Sequence, residues 1–343
     1  MRSLLSLSLM AMLASAQTPE IQHRFLQVNG LKMHIAEDGT GPLVVLCHGF
    51  PELWYSYRHM LPALAKAGYH AVAPDMRGYG QTDAPPNIED YSQLQMVGDM
   101  VGLIYALGEQ EAIMIGHDWG APVAYNTAIL RPDLVRAVVL LSVPCGVKTE
   151  QGAVKPSEGT RRRMPPGMIF YQTYFQQPGV AEKDLEADVR KTMRSLLYSA
   201  SGSIPKEHKW RYVMKQNEKA LDTVTDPPQL PKWLTEADLG YFTKEFTRTG
   251  FRGGLSWYRA QDISWQQTPW LVGRKLEQPA LFIAGTDDAV VEFARAGVDN
   301  LEKSVPHLWR KVLLPGVGHW TEQEAPDEVN RHTIEFLQYL DRR

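Results

Sequence analysis

Ala112-Ile113-Met114-Ile115-Gly116-His117-Asp118-Trp119-Gly120-Ala121-Pro122-Val123-Ala124-Tyr125 runs from an apolar strand through a tight turn into a helix. Its centre, Gly116 to Gly120, has the form Gly-x-nucleophile-x-Gly. The flanking glycines lack the Cβ atoms that would block a turn sharp enough to lift the middle side chain above a sheet. Aspartate stands at that middle position. It tolerates the left-handed backbone of such an elbow, and its carboxylate is ionised at neutral pH, so it attacks without a base. Asp also opens many helices simply as an N-cap. Chemistry at Asp118 therefore requires that the rest of the chain supply a base, an acid and oxyanion donors.

Outward from the elbow the chain alternates strand and helix. Residues 23–29 and 31–36, separated by Gly30, alternate in polarity as a hairpin does. Leu43-Val44-Val45-Leu46-Cys47 is wholly apolar, as in a strand buried on both faces, and runs into His48-Gly49-Phe50-Pro51. A helix over 55–67, a strand over 69–74, the turn Asp75-Met76-Arg77-Gly78-Tyr79-Gly80 and a helix over 92–107 then lead to the elbow strand. Residues 137–143 form another buried strand. This order predicts an α/β fold with a mostly parallel, doubly wound sheet.

Residues 146–272 lose strand-like runs and gain helical periodicity and aromatics, including Phe170, Tyr171, Tyr174, Phe175, Trp233, Tyr241 and Phe242. An all-helical lid, inserted in the sheet, is the expectation. Strands resume over 280–284 and 309–314, and an amphipathic helix follows over 326–340. The core thus divides into 17–145 and 273–343. Ligands of open α/β sheets sit at the carboxyl ends of the strands, so a lid leaving from the end of 137–143 covers Asp118 with a buried, aromatic pocket.

The 343 residues, 44% apolar, suffice for a sizeable core. A formal charge of −3 gives no electrostatic reason for a nucleic-acid partner, and Arg161-Arg162-Arg163 reads as a solvated loop. Beyond the first residues no apolar run is long enough to span a membrane. Residues 1–16 differ: Arg2, the run Leu4 to Leu13 and Ala14-Ser15-Ala16 have the layout of a secretory signal peptide. Secretion is expected on that basis, with a cytoplasmic location as the alternative.

An aspartyl ester has to be hydrolysed by activated water, which calls for a histidine, an orienting acid and an oxyanion hole. Gly285-Thr286-Asp287-Asp288 follows one late strand and Gly316-Val317-Gly318-His319-Trp320 the next, giving the chain order nucleophile, acid, histidine. Asp287 and Asp288 both qualify as the acid. Backbone N–H groups of Trp119, just after the nucleophile, and Phe50, in the earlier turn, are the expected oxyanion donors. There is no H-E-x-x-H pattern and no C-x-x-C pair, so no metal is expected. Gly78-Tyr79-Gly80 lacks the third glycine of a dinucleotide loop, and no cofactor is expected.

With these motifs in place, the chain resembles the soluble epoxide hydrolases of the α/β-hydrolase fold over about 23–341. The matching stretches are His48-Gly49-Phe50-Pro51-Glu52, Asp75 to Gly80, Gly116 to Gly120 and Gly316 to Trp320. Two lid motifs join them. Phe170-Tyr171-Gln172-Thr173-Tyr174-Phe175 is similar to the family stretch with the first lid tyrosine, implying Tyr171. Gly250-Phe251-Arg252-Gly253-Gly254-Leu255-Ser256-Trp257-Tyr258-Arg259 is similar to the second, implying Tyr258. The family's strand-loop spacing favours Asp288 over Asp287. The resemblance implies conversion of an epoxide and water to a vicinal diol. In it Asp118 is the nucleophile, Tyr171 and Tyr258 polarise the epoxide oxygen, His319 and Asp288 activate water, and Phe50, Trp119 and Gln172 line the substrate.

A haloalkane dehalogenase resembles the same core and uses the same ester logic, but has no need of the two lid tyrosines. A non-catalytic receptor on this fold is the other alternative, against which the intact nucleophile, acid and histidine weigh. In the strand order of this fold the elbow strand separates those ending at Cys47 and near Cys145. The gap, about two strand spacings of ~4.8 Å, exceeds disulfide reach, so two free thiols are expected.

Overall fold

The computed structural model describes residues 21–146 and 154–342; the leader read in residues 1–16 lies outside them. In chain order the strands are β1 (Gln22–Val28), β2 (Leu31–Asp38), β3 (Leu43–Cys47), β4 (His70–Pro74), β5 (Ala112–His117), β6 (Val135–Leu141), β7 (Met168–Phe170), β8 (Val213–Lys215), β9 (Ala280–Gly285) and β10 (Leu308–Leu314). Eight of them make one sheet in the order β1-β2-β4-β3-β5-β6-β9-β10. The β1–β2 hairpin is antiparallel and joins β4 antiparallel, whereas every pair from β4 to β10 is parallel. The elbow strand β5 lies in the interior of this sheet.

The unbroken apolar character of the central strands follows from burial on both faces. Val45, Cys47 and Met114 point into one core cluster, while Val44, Leu46, Ile113 and Ile115 point into the other. The helices Gln93–Ala106 and Gly120–Leu130 contribute to the first, and Met60–Lys66 and Pro326–Asp341 to the second. Cys47 and Cys145 are both buried and free, with β5 standing between β3 and β6 as the strand order required.

Between β6 and β9 the chain leaves the sheet and builds the lid. Its helices include Val189–Ser199, Glu236–Thr249 and Arg252–Arg259. It is not all-helical, as the periodicity had suggested: β7 and β8 pair antiparallel in a ribbon of their own, with Phe170 opposite Val213. Strands this short fall below the length over which hydrophobic periodicity registers. The ribbon extends to the next residue through the Tyr171 N–H, which donates to the Tyr212 carbonyl at 2.9 Å. It therefore fixes the backbone from which Tyr171 projects.

The lid is seated on the core largely through contacts to main-chain atoms. The Trp257 indole donates to the Arg77 carbonyl at 3.0 Å. On the other side, His319 N–H donates to the Ala200 carbonyl at 2.9 Å, and a Cβ on Gly202 would lie 2.1 Å from the Gly316 carbonyl oxygen.

Candidate active site

Asp118 has φ +48°, the left-handed conformation that its sequence position required. The turn is as tight as the glycines allow: a Cβ on Gly116 would sit 2.2 Å from the Gly120 oxygen, and one on Gly120 only 1.9 Å from the Cys47 oxygen. The elbow lifts the carboxylate off the end of β5. There the Phe50 N–H donates to Asp118 Oδ1 at 2.9 Å. Trp119, whose N–H is the other expected oxyanion donor, is the N-cap residue of the helix Gly120–Leu130.

His319 follows β10 and turns its Nε2 toward Asp118 Oδ2, 3.6 Å away. Its Nδ1 faces both oxygens of Asp288 at 3.3 Å. Asp288 is buried, its Oδ1 accepting the Val290 N–H at 2.8 Å, whereas Asp287 is exposed and 4.0 Å from the Lys209 ammonium. The two candidates for the acid are thus separated by burial and direction. Burial disfavours a charged His319, but the charge of Asp288, the hydrogen bonds to it and the nearby Asp118 carboxylate outweigh it and hold the imidazole pKa well above its ordinary value. Burial likewise works against an ionised Asp288, and the charge of His319 keeps its carboxyl below the usual carboxylate range.

Above Asp118 stand the lid phenols. Tyr171 and Tyr258 are buried, their rings 5.9 Å apart and edge to face. Burial and the Asp118 charge raise both pKa values, so each phenol stays protonated and able to donate. Gln172 donates to the Tyr171 hydroxyl at 3.2 Å, and its amide oxygen accepts from Gln261 at 3.2 Å. Trp119 packs edge-on to Tyr258 with centroids 5.1 Å apart, and its side chain bonds the Tyr258 hydroxyl. Phe50 and Phe175 close the same aromatic wall.

Two groups at the site carry no sequence signal that was recognised as functional. Ser142, one residue past β6 with φ +67°, donates to Asp288 Oδ2 at 2.5 Å and lies 3.1 Å from His319 Nδ1. Beneath the elbow, His117 is enclosed by Glu52 and Glu322. Its Nδ1 is 2.6 Å from Glu52 Oε2, and its Nε2 is 2.7 Å from the His319 carbonyl. Glu52 and His117 lie inside motifs quoted for their neighbours, Phe50 and Asp118.

The alpha/beta hydrolase fold family matches residues 42–325 of the chain. Epoxide hydrolase A of Mycobacterium tuberculosis is 41% identical over 322 residues, which cover 93% of this chain and 98% of that protein. Epoxide hydrolase 3 of Siraitia grosvenorii is 41% identical over 327 residues, with the same coverage. Among solved structures, an epoxide hydrolase from an endophytic Streptomyces superposes with a TM-score of 0.90 at 42% identity, covering 94% of this chain and 96% of that one.

Proposed function

The chain belongs to the epoxide hydrolases of the α/β-hydrolase fold, and from that premise we propose how its own residues divide the reaction. Asp118 Oδ2 attacks an epoxide carbon, since Oδ1 is held by the Phe50 N–H. The carbon–oxygen bond of the ring breaks as its oxygen receives a proton from the Tyr171–Tyr258 pair. The product is an alkyl ester on Asp118. Water then gives a proton to His319 Nε2 and adds to the ester carbonyl, whose oxyanion lies against the Phe50 and Trp119 N–H groups. Collapse breaks the ester carbon–oxygen bond as His319 returns its proton to the departing alkoxide oxygen. The Asp118 carboxyl then gives its proton up to the phenolate left at the lid, which frees the vicinal diol and restores both carboxylate and phenol. Phe50, Phe175 and Trp119 beside the phenols favour apolar substituents on the epoxide.

The observation that carries this reading is the convergence of His319 on the elbow, its Nε2 3.6 Å from Asp118 Oδ2 while its Nδ1 is held 3.3 Å from both oxygens of Asp288. Electrostatics supports it in time as well as space. Before attack, Asp118 helps to keep His319 protonated. Ester formation removes that charge, so the imidazole loses part of what held its proton and becomes a base when one is needed.

The test separates the two halves. His319→Gln should open one equivalent of epoxide and stop at the ester, visible in the intact mass as a gain equal to the substrate and mapping to the Asp118 peptide. Asp118→Ala should gain nothing. An unmodified His319→Gln protein that still binds substrate would point to direct attack by water. The charged start, apolar run and A-x-A site of residues 1–16 support export with cleavage before Gln17. N-terminal sequencing of protein recovered from the cell exterior tests this, and a retained Met1 counts against it.

A further inference from the structure

The Glu52–His117–Glu322 cluster under the elbow has more carboxylate oxygens than donors. Its residues are buried, and the nearest His117 nitrogen and carboxylate oxygens lie within 4.8 Å of one another. His117 Nε2 faces the His319 carbonyl at 2.7 Å, and a carbonyl only accepts, so Nε2 carries a proton. Nδ1 is engaged with Glu52 Oε2, which also accepts the Gly49 N–H at 2.9 Å. One chain of bonds thus runs from the Gly49–Phe50 turn through Glu52 and His117 to the backbone of His319.

Three oxygens are left over. Glu52 Oε1 and both oxygens of Glu322 are buried without a hydrogen-bond partner. An ionised Glu322 would put a second negative charge against a single imidazolium in a fully buried site, with two acceptors facing a third. The neighbours offer nothing to offset it. His48 accepts the Met76 N–H on Nε2 and gives its other proton to the Gly49 carbonyl, which fixes it as neutral. The Tyr57 hydroxyl donates to the Cys47 carbonyl at 2.7 Å, and the remaining charged ring, His319, is committed to Asp288. A metal ion does not resolve the cluster either. Ligands of a tetrahedral ion at ~2.0 Å bonds stand ~3.3 Å apart, whereas His117 Nδ1 and Glu52 Oε2 are 2.6 Å apart, a hydrogen-bond separation.

We propose that Glu322 is a positioning residue that keeps its proton at neutral pH and donates it to Glu52 Oε1, locking the Glu52–His117 pair between the Phe50 turn and the His319 backbone. One proton then satisfies an orphan on each carboxyl group, and the cluster is neutral: Glu52 minus, His117 plus, Glu322 uncharged. Burial raises the Glu322 pKa, and the Glu52 charge adds to it against the pull of His117. For Glu52 the balance is reversed, because His117 overcomes the effect of burial. His117 is raised above its ordinary value despite burial, by the charge of Glu322 once that group has lost its proton and by the charge of Glu52 and the hydrogen bond to it throughout. When Glu322 loses its proton to solvent at alkaline pH, two carboxylates repel across one imidazole and the two loops lose their common anchor.

The inference rests on the roles given above to Phe50 and His319, and its test is kept separable from theirs. Turnover is measured from neutral to alkaline pH in the wild type and in Glu322→Gln, an uncharged near-isostere. The wild type should lose kcat on the alkaline side with KM little changed. Glu322→Gln should keep neutral-pH kcat within about threefold and lose that alkaline fall. An alkaline limb unchanged in Glu322→Gln overturns the proposal. Infrared spectra provide a second reading should the variant fold poorly. The wild type should show the carbonyl band of an undissociated carboxylic acid at neutral pH, disappearing with the midpoint of the kcat loss, and absence of that band at neutral pH also overturns it. Failure of the covalent mechanism would appear elsewhere, as no adduct on Asp118 in His319→Gln.

Discussion

Ser142 shows how much of a site can rest on a residue with no motif around it. Its hydroxyl occupies one oxygen of Asp288 and leaves the other to the Val290 N–H, so the carboxylate is held by two donors before His319 is counted. A serine one step beyond an apolar strand carries no pattern, and only the packing of β6 against β9 brings it to the acid. Asp118, His319 and the pair Asp287–Asp288 were legible because each ends a strand in a Gly-rich turn. The strand-loop spacing of the resemblance already favoured Asp288, and burial and direction give the physical reason that residues alone could not. The phenols lend themselves to a graded test: Tyr171→Phe or Tyr258→Phe should each slow ring opening by ~10–100-fold, and the double variant should nearly abolish it. Normal adduct formation in the double variant, followed by single-turnover mass spectrometry, would remove both from the reaction. For His319 the expectation concerns pH. Ester hydrolysis needs the neutral ring and so falls as pH drops through its pKa. That inflection should lie below the His319 pKa titrated by NMR in the free enzyme, because the ester no longer carries the Asp118 charge. Coincident values would show that Asp118 does not govern the proton.

At the scale of elements, the alternation of strands and helices was legible because β3 and β9 are apolar throughout and β5 is so up to His117, the mark of burial on two faces. The lid was harder. Its helices came through as periodicity, but the β7–β8 ribbon of Met168–Phe170 and Val213–Lys215 joins segments far apart in sequence and too short to register. The docking of lid on core escaped the sequence for a related reason, since much of it is made to main-chain atoms. Glu324 accepts the N–H groups of Gly202 and of Gly318 and Trp320, the two residues flanking His319. Gly202→Ala should therefore push the base's own loop, its Cβ meeting Gly316 oxygen at 2.1 Å and Gly318 nitrogen at 2.5 Å. The expected cost is ~1–3 kcal/mol of stability. Ester hydrolysis should suffer more than ring opening, so adduct on Asp118 should accumulate during steady turnover. Equal slowing of both steps would mean that the lid seat does not act through His319.

Across the whole molecule, the sheet with its two separate apolar faces makes burial uniform along the middle strands, and this has a practical side. Cys47 lies under the elbow turn, its sulfur 3.4 Å from the Met100 sulfur, and Cys145 sits just past β6 where the chain departs for the lid. Burial raises both thiols far from reactivity, Cys145 to about 12. A thiol-labelling reagent is therefore blind to the native protein and sees only those molecules in which one of these places has opened. Labelling of Cys145 alone would time the release of the lid, and labelling of Cys47 the rupture of the sheet itself, so that the chain carries two native clocks for its own unfolding without any engineered probe.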